Sequence, residues 1–114
     1  MPASNYATIT LGLTASAAIA QFQPVTAAGA PAVAAGNAIG FATIAAASGA
    51  RVPVTAGGTA IAIAGGVIAP GALVEVHTTV TKVVTKSAGV AIGRYLGTAN
   101  AADGDTIEVF LIPN

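Results

Sequence analysis

The sequence has no cysteine and no tryptophan, a single histidine, and charge on only 7% of its 114 residues. Without Cys there is no disulfide, no thiolate metal centre and no cysteine nucleophile, so stability beyond the core has to come from partner chains. Four Lys plus Arg balance four Asp plus Glu. No basic face is therefore available to neutralise a phosphate backbone, and nucleic acid is not an expected partner. No charged residue occurs between Met1 and Ala50. The Lys/Arg-bearing start of a secretory leader is missing, and export by that route is not expected. The uncharged stretch from Ala56 to Val74 has the length of a membrane helix, but Gly57, Gly58, Gly65, Gly66 and Pro70 interrupt it, and no membrane span is expected.

Hydrophobic residues make up 54% of the chain, but aromatics only 4%, and Ala supplies much of the apolar count. Small side chains bury little area, and at roughly 25 cal/mol per Å² such a core gains less than its apolar fraction implies. A free monomer would also carry more charge to stay dispersed. Both deficits point to surface buried between chains, and a homo-oligomer is expected, a trimer ahead of a dimer.

Periodicity separates strand from helix in so Ala-rich a chain. In Tyr6–Leu11, Ile9 and Leu11 alternate with Thr8 and Thr10, a pattern that suits a half-buried pleated surface. Val74–Thr85 is dense in Val and Thr and reads as one strand, or as two around a turn. Thr106–Ile112 alternates again before Pro113, which cannot donate to a ladder. Turn signals stand at Gly36-Asn37, Ser48-Gly49, Gly57-Gly58, Gly65-Gly66, Pro70-Gly71 and Asp103-Gly104-Asp105. Thr14–Gln21 and Ala42–Ser48 are the two windows read as short helical turns.

An internal echo organises these pieces. Ile19-Ala20-Gln21-Phe22-Gln23-Pro24-Val25 is answered by Ile68-Ala69-Pro70-Gly71-Ala72-Leu73-Val74, 49 residues on (68 minus 19). Ala38-Ile39-Gly40 recurs as Ala91-Ile92-Gly93, 53 residues on (91 minus 38). Each Ala-Ile-Gly precedes an Ala-rich bend, a Gly turn and a strand, and slowly growing offsets are what small loop insertions produce between two copies of one arrangement. Two copies are too few for a solenoid. The expected fold is all-β, a small barrel or sandwich with two pseudo-repeated halves and short helical turns. Residues 1–15 read as an N-terminal arm and first strand, and residues 16–114 as one β domain with halves at about 16–56 and 65–112.

The two halves together resemble the phage head decoration, or capsid cement, proteins, which are small Ala- and Gly-rich β proteins. The likeness lies in Ile19–Val25, Ala38-Ile39-Gly40-Phe41-Ala42, Val67–Val74, Ala91-Ile92-Gly93 and the closing Ala102-Asp103-Gly104-Asp105-Thr106-Ile107-Glu108-Val109, spanning about Ser16 to Leu111. The resemblance implies a protein made in the host cytoplasm that binds the exterior of an assembled capsid as a trimer, with the major capsid protein as partner. There it would reinforce the shell against the pressure of packaged DNA. The same composition also permits a tail or fibre subunit, a surface-layer element, or a barrel holding a small molecule in an Ala-lined interior.

Conventional chemistry has few residues to draw on. His77 and Glu75, two apart on one strand face, fall short of the three or four ligands of a metal site. Asp103-Gly104-Asp105 opens like a calcium loop, but position 12 counted from Asp103 is Asn114 rather than Glu. A β-turn is the expected role. No Gly-Lys-Ser/Thr follows the paired glycines, and the plentiful Ser and Thr lack the His and carboxylate arrangement of a triad. Neither catalysis nor a cofactor or metal is expected. The residues expected at an interface are Arg94 with Tyr95, and Arg51, because Arg is favoured where surfaces meet. Lys82 and Lys86, four apart on one strand face, discourage edge pairing or face an acidic shell. Pro2, Ala3, Ser4 and Asn5 are the expected contact arm.

Overall fold

The computed structural model describes residues 7–112, and within them every regular element is a strand. In chain order these are β1 (Ala7–Thr14), β2 (Pro24–Val25), β3 (Gly40–Ala42), β4 (Arg51–Ile63), β5 (Leu73–Val76), β6 (Val83–Thr85), β7 (Gly93–Tyr95) and β8 (Thr106–Leu111). They form one antiparallel sheet in the order β2-β3-β4-β8-β7-β5-β6, with β1 also against β4. The sheet curls into a half-barrel, which places one of the expected all-β architectures.

Nothing among the described residues is helical, which corrects the expectation of helical turns at Thr14–Gln21 and Ala42–Ser48. In both windows the backbone groups that a helix would pair internally go elsewhere. Ile19 and Ala46 exchange both hydrogen bonds, at 2.8 and 2.9 Å. A first helical turn fixes several dihedrals for one bond, and a window of seven or eight residues cannot offset that nucleation cost when a partner strand is available. Gly57-Gly58 is likewise no chain reversal. β4 runs straight through it, with Gly58 at φ 80° and a register shift where β1 passes from Ala7 to Ile9. A φ that only Gly adopts without strain, combined with a register shift, is how a long strand bends without ending.

That bend lets one strand serve two half-structures. The first part of β4 pairs with β1 and β3, the second part with β8. The pairings then repeat residue by residue. Leu13↔Val52 is matched by Ala62↔Ile107, Val25↔Gly40 by Val74↔Gly93, Ala42↔Val54 by Tyr95↔Val109, and Ile19↔Ala46 by Ile68↔Ala101. The repeated unit thus runs from β1 into β4, and again from the later part of β4 to β8. Each unit is tied in the same place, by Ser16 N–H to Gly29 C=O at 3.0 Å and Gly65 N–H to Val83 C=O at 2.7 Å. Ile39 and Ile92 hold matching backbone positions, donating to Val25 and Val74 respectively.

Packing follows the same duplication. Ala15, Ile19, Val25, Ala42, Val52 and Val54 form the core of the first unit. Their counterparts Ala64, Ile68, Val74, Tyr95, Ile107 and Val109 all lie in the second, larger core. That core also takes Ala32, Ala38 and Phe41 from the first unit, which joins the two. Most of these side chains are small, so close approach of backbones replaces bulk. A Cβ at Gly40 would strike the Thr55 carbonyl, and one at Gly93 would strike Val109.

Candidate functional site

Each residue expected at an interface has a definite place, except Pro2, Ala3, Ser4 and Asn5, which lie outside the described residues. Arg51 is exposed at the start of β4 and donates from Nη1 to the Gly12 carbonyl at 3.0 Å. Arg94 is exposed on β7 and donates to the Gly71 carbonyl at 2.6 Å. Both guanidiniums are held by a neighbouring turn or strand while keeping donors toward solvent, an arrangement suited to contact with a second surface.

Tyr95, grouped with Arg94 by sequence, points the other way. It is buried in the second core, and its hydroxyl donates to the Ala99 carbonyl at 2.9 Å. Alternation along a strand sends adjacent side chains to opposite faces, so Arg94 and Tyr95 cannot share one. The aromatic neighbour that Arg94 does have is Phe110, directly across the ladder and 49% exposed. Thr59, Phe110, Arg94 and Leu73 form a continuous cross-strand row over β4, β8, β7 and β5. An exposed Phe beside an exposed Arg is the composition that interfaces favour. Strict alternation in Thr106–Leu111 puts Phe110 opposite the buried Ile107, Val109 and Leu111, so the signal was present in the sequence.

Lys82 and Lys86 flank β6, and their ammonium groups turn to different partners. Lys82 pairs with Asp103 at 3.0 Å, while Lys86 donates to the Ser87 carbonyl at 3.1 Å. Asp103-Gly104-Asp105 is a turn: Gly104 has φ 90°, and Asp105 Oδ2 accepts from Ala102 N–H at 2.9 Å. His77 is half-buried with Nδ1 accepting from Thr79 N–H at 2.9 Å. Glu75 is buried, and its Oε1 accepts from the N–H groups of Ser87 and Gly89 at 2.6 and 3.0 Å. Glu75 and His77 thus serve separate loops. Among the described residues no three His, Cys, Asp or Glu side chains gather where a metal ion could be held. Among the described residues Thr55 Oγ1 and Glu108 Oε1 are buried without a hydrogen-bond partner, and Thr55 lines a small pocket with Phe22, Phe41, Ala60 and Ile61.

One concavity was not anticipated from sequence. It is a cavity of about 520 Å³ at the open end of the first unit, lined by Ile9, Leu11, Thr26, Ala27, Asn37, Ala38, Ile39, Ala56 and Ile112. No charged side chain enters it. An uncharged, largely aliphatic wall, with Thr26 and Asn37 as its polar members, is suited to burying another apolar surface.

These features, a charge-poor β protein with exposed apolar and Arg contacts and no catalytic cluster among the described residues, agree with what is found by comparison. No curated protein matches the chain. Among solved structures, the N base of the head fibre gp8.5 of bacteriophage phi29 superimposes with a TM-score of 0.71 over 91% of this chain and 93% of that one, at 13% identity. The likeness extends across nearly the whole of both chains, so it is the complete two-unit architecture that is similar. The family model for phage cement proteins matches residues 3–111. The chain belongs to the phage cement protein family.

Proposed function

We propose that this protein binds the outside of an assembled phage head as a homo-oligomer, a trimer, and stabilises the shell mechanically without catalysing a reaction. The observation that carries this reading is the cement-family match, which runs from residue 3 to residue 111 and so takes in both structural units. The surface supports it: Ile9, Val33, Ile44, Val67 and Phe110 are each about half exposed or more, on a chain with eight charged residues to disperse it. Contacts of this kind are individually weak. Multiplied by capsid symmetry they favour the assembled state by mass action, because each bound copy stabilises the shell and not its free subunits. Synthesis in the host cytoplasm, followed by docking on the major capsid protein, is the corresponding route to the virion.

Within this reading Arg94 and Phe110 form one contact row, Arg51 a second anchor, and Lys82 and Lys86 the cations that meet an acidic shell. Pro2–Asn5 form the arm. The test compares heads with and without the protein for DNA retained on heating. Heads lacking it are expected to assemble normally and to release DNA at lower temperature. Equal retention, with no density for the chain on the shell, would instead favour a tail or fibre role.

A further inference from the structure

The two units differ at one end, and that difference identifies a docking site. In the second unit, the positions that match the cavity wall are filled and dry. Ala60, Val76, Ile92 and Leu111 stand where the first unit has Leu11, Ala27, Ile39 and Ala56, and all four are buried. In the first unit Ile39 is 37% exposed, Ala27 is exposed, and Leu11 and Ala56 are half-buried.

What closes the second unit is a short piece of the first, Ala32–Gly36, which reverses in a turn: Gly36 donates to the Val33 carbonyl at 2.9 Å and Ala35 has φ 57°. Ala35 donates its N–H to the Val76 carbonyl at 2.9 Å and accepts from Val90 N–H at 3.0 Å, bridging the end of β5 and the loop that leads into β7. Ala32 is buried in the same core as Val76, Ile92 and Leu111. The fit is close enough that a Cβ on Gly89 would come within 2.6 Å of the Ala35 Cβ. The groups that match Val76 C=O and Val90 N–H in the first unit are Ala27 C=O and Asn37 N–H. Neither has a hydrogen-bond partner among the described residues. One end of the molecule therefore shows, in place, a kind of segment that no described residue supplies at the other end.

We infer that the groove walled by Ile9, Leu11, Ala27, Asn37, Ile39 and Ile112 is the docking site for an uncharged, small-residue turn of the capsid chain. This inference rests on the cement reading and names the contact it uses. Charge decides the class of occupant, since the wall carries no charged side chain and only Thr26 and Asn37 bring polar ones. A charged segment would lose its hydration with nothing in return. The same point excludes the matching segment of a second copy. Lys86–Gly89 occupies in the second unit the place of Ala32–Ala35 in the first, but it begins with a cation, and its Ser87 and Gly89 N–H groups are already bound to Glu75. The mode is insertion of a backbone turn, with bonds to Ala27 C=O and Asn37 N–H supplying register, as Ala35 supplies them in the second unit, and the aliphatic wall supplying affinity.

Two measurements test it. The first titrates the isotopically labelled protein with a capped peptide of the sequence Pro31–Asn37 and follows amide shifts. Changes centred on Ala27, Asn37 and Ile39 are expected at millimolar peptide, and their absence overturns the inference. The second binds wild type, Ile39→Asp and Ala27→Trp to purified heads that lack the protein. Both substitutions lie at accessible positions and leave the two cores intact, which thermal melting verifies. Each is expected to weaken head binding by about tenfold or more, the loss typical at the centre of an interface. Variants that bind heads like wild type overturn the groove while leaving the cement role standing. Wild type that does not bind heads at all removes the cement role, and with it the capsid chain as occupant, even where the peptide binds. Self-association of wild type that Ile39→Asp abolishes would make a second copy the occupant and also overturn the inference.

Discussion

At the scale of single residues, the duplicated backbone separates conformational strain from packing. Gly71 has φ 79°, and its counterpart Phe22 adopts φ 66° with a side chain. A left-handed non-Gly residue costs about 1 kcal/mol, so the first unit tolerates at Phe22 a strain that the second avoids. Nothing lies within 4 Å of a Cβ built on Gly71. Gly71→Ala is therefore expected to lower stability by about 1 kcal/mol through the backbone alone. Gly93→Ala, which drives a methyl into Val109, is expected to cost more, about 1–3 kcal/mol from overpacking. Urea denaturation of the two variants checks the order, and equal costs would contradict it. Glu75 is a third case, because one buried carboxylate oxygen holds two loop amides. Glu75→Ala leaves both unsatisfied and should destabilise by about 1–3 kcal/mol, with faster hydrogen exchange at Ser87 and Gly89. Removing the exposed Lys82–Asp103 pair by Lys82→Ala should change stability by less than about 1 kcal/mol, since solvent screens it.

At the scale of elements, β4 is the shared part. Its first five residues complete one unit and its last five begin the next, so neither unit is whole without it. Ile19 and Ile68 hold matching places in the two cores, at 2% and 0% exposure. Ile19→Ala and Ile68→Ala are each expected to cost about 2–5 kcal/mol. Because the units share a strand, either substitution should lower a single cooperative transition. Two separated transitions in denaturant, read by far-UV circular dichroism and by amide signals from each unit, would show that the units unfold independently. The order of turn, strand, Ala-Ile-Gly, bend and strand was legible in the sequence because the matching segments recur in the same order, at offsets that grow only from 49 to 53 residues. The sharing of β4 was not. Gly57-Gly58 carries the usual signature of a reversal, and only the pairing partners on both sides, β1 and β8, hold the chain extended there.

At the scale of the whole molecule, surface composition bears on assembly. Exposed Ile9, Ile44, Val67 and Phe110, with charge on 7% of residues, are expected to be covered in the particle. Light scattering is expected to give the mass of three chains rather than the 10.8 kDa of one. A persistent monomer, both free and on the head, would contradict the trimer. Phe110→Asp on the exposed row should weaken head binding without lowering the melting temperature, because the side chain leaves no core void. A fall in both would place Phe110 in the fold rather than the contact.

Residue chemistry alone determined the class of this protein. Without Cys there was no route to a disulfide framework, and the sparse, balanced charge formed no basic run. Period-two alternation in Thr106–Leu111 and the recurrence of Ala-Ile-Gly called for paired strands in two copies. Tertiary structure decided what local pattern leaves open. Ala-rich windows became bridges instead of helices because Ile19 and Ala46 satisfied each other. Tyr95 went to the core while its neighbour Arg94 stayed outside, since the ladder fixes which face is buried. Ile39 and Ile92 are identical in type and context, yet one is dry and the other lines an open groove. The reason is that burial depends on what lies across from a residue, and among the described residues Ala32–Gly36 covers Ile92 while no segment covers Ile39.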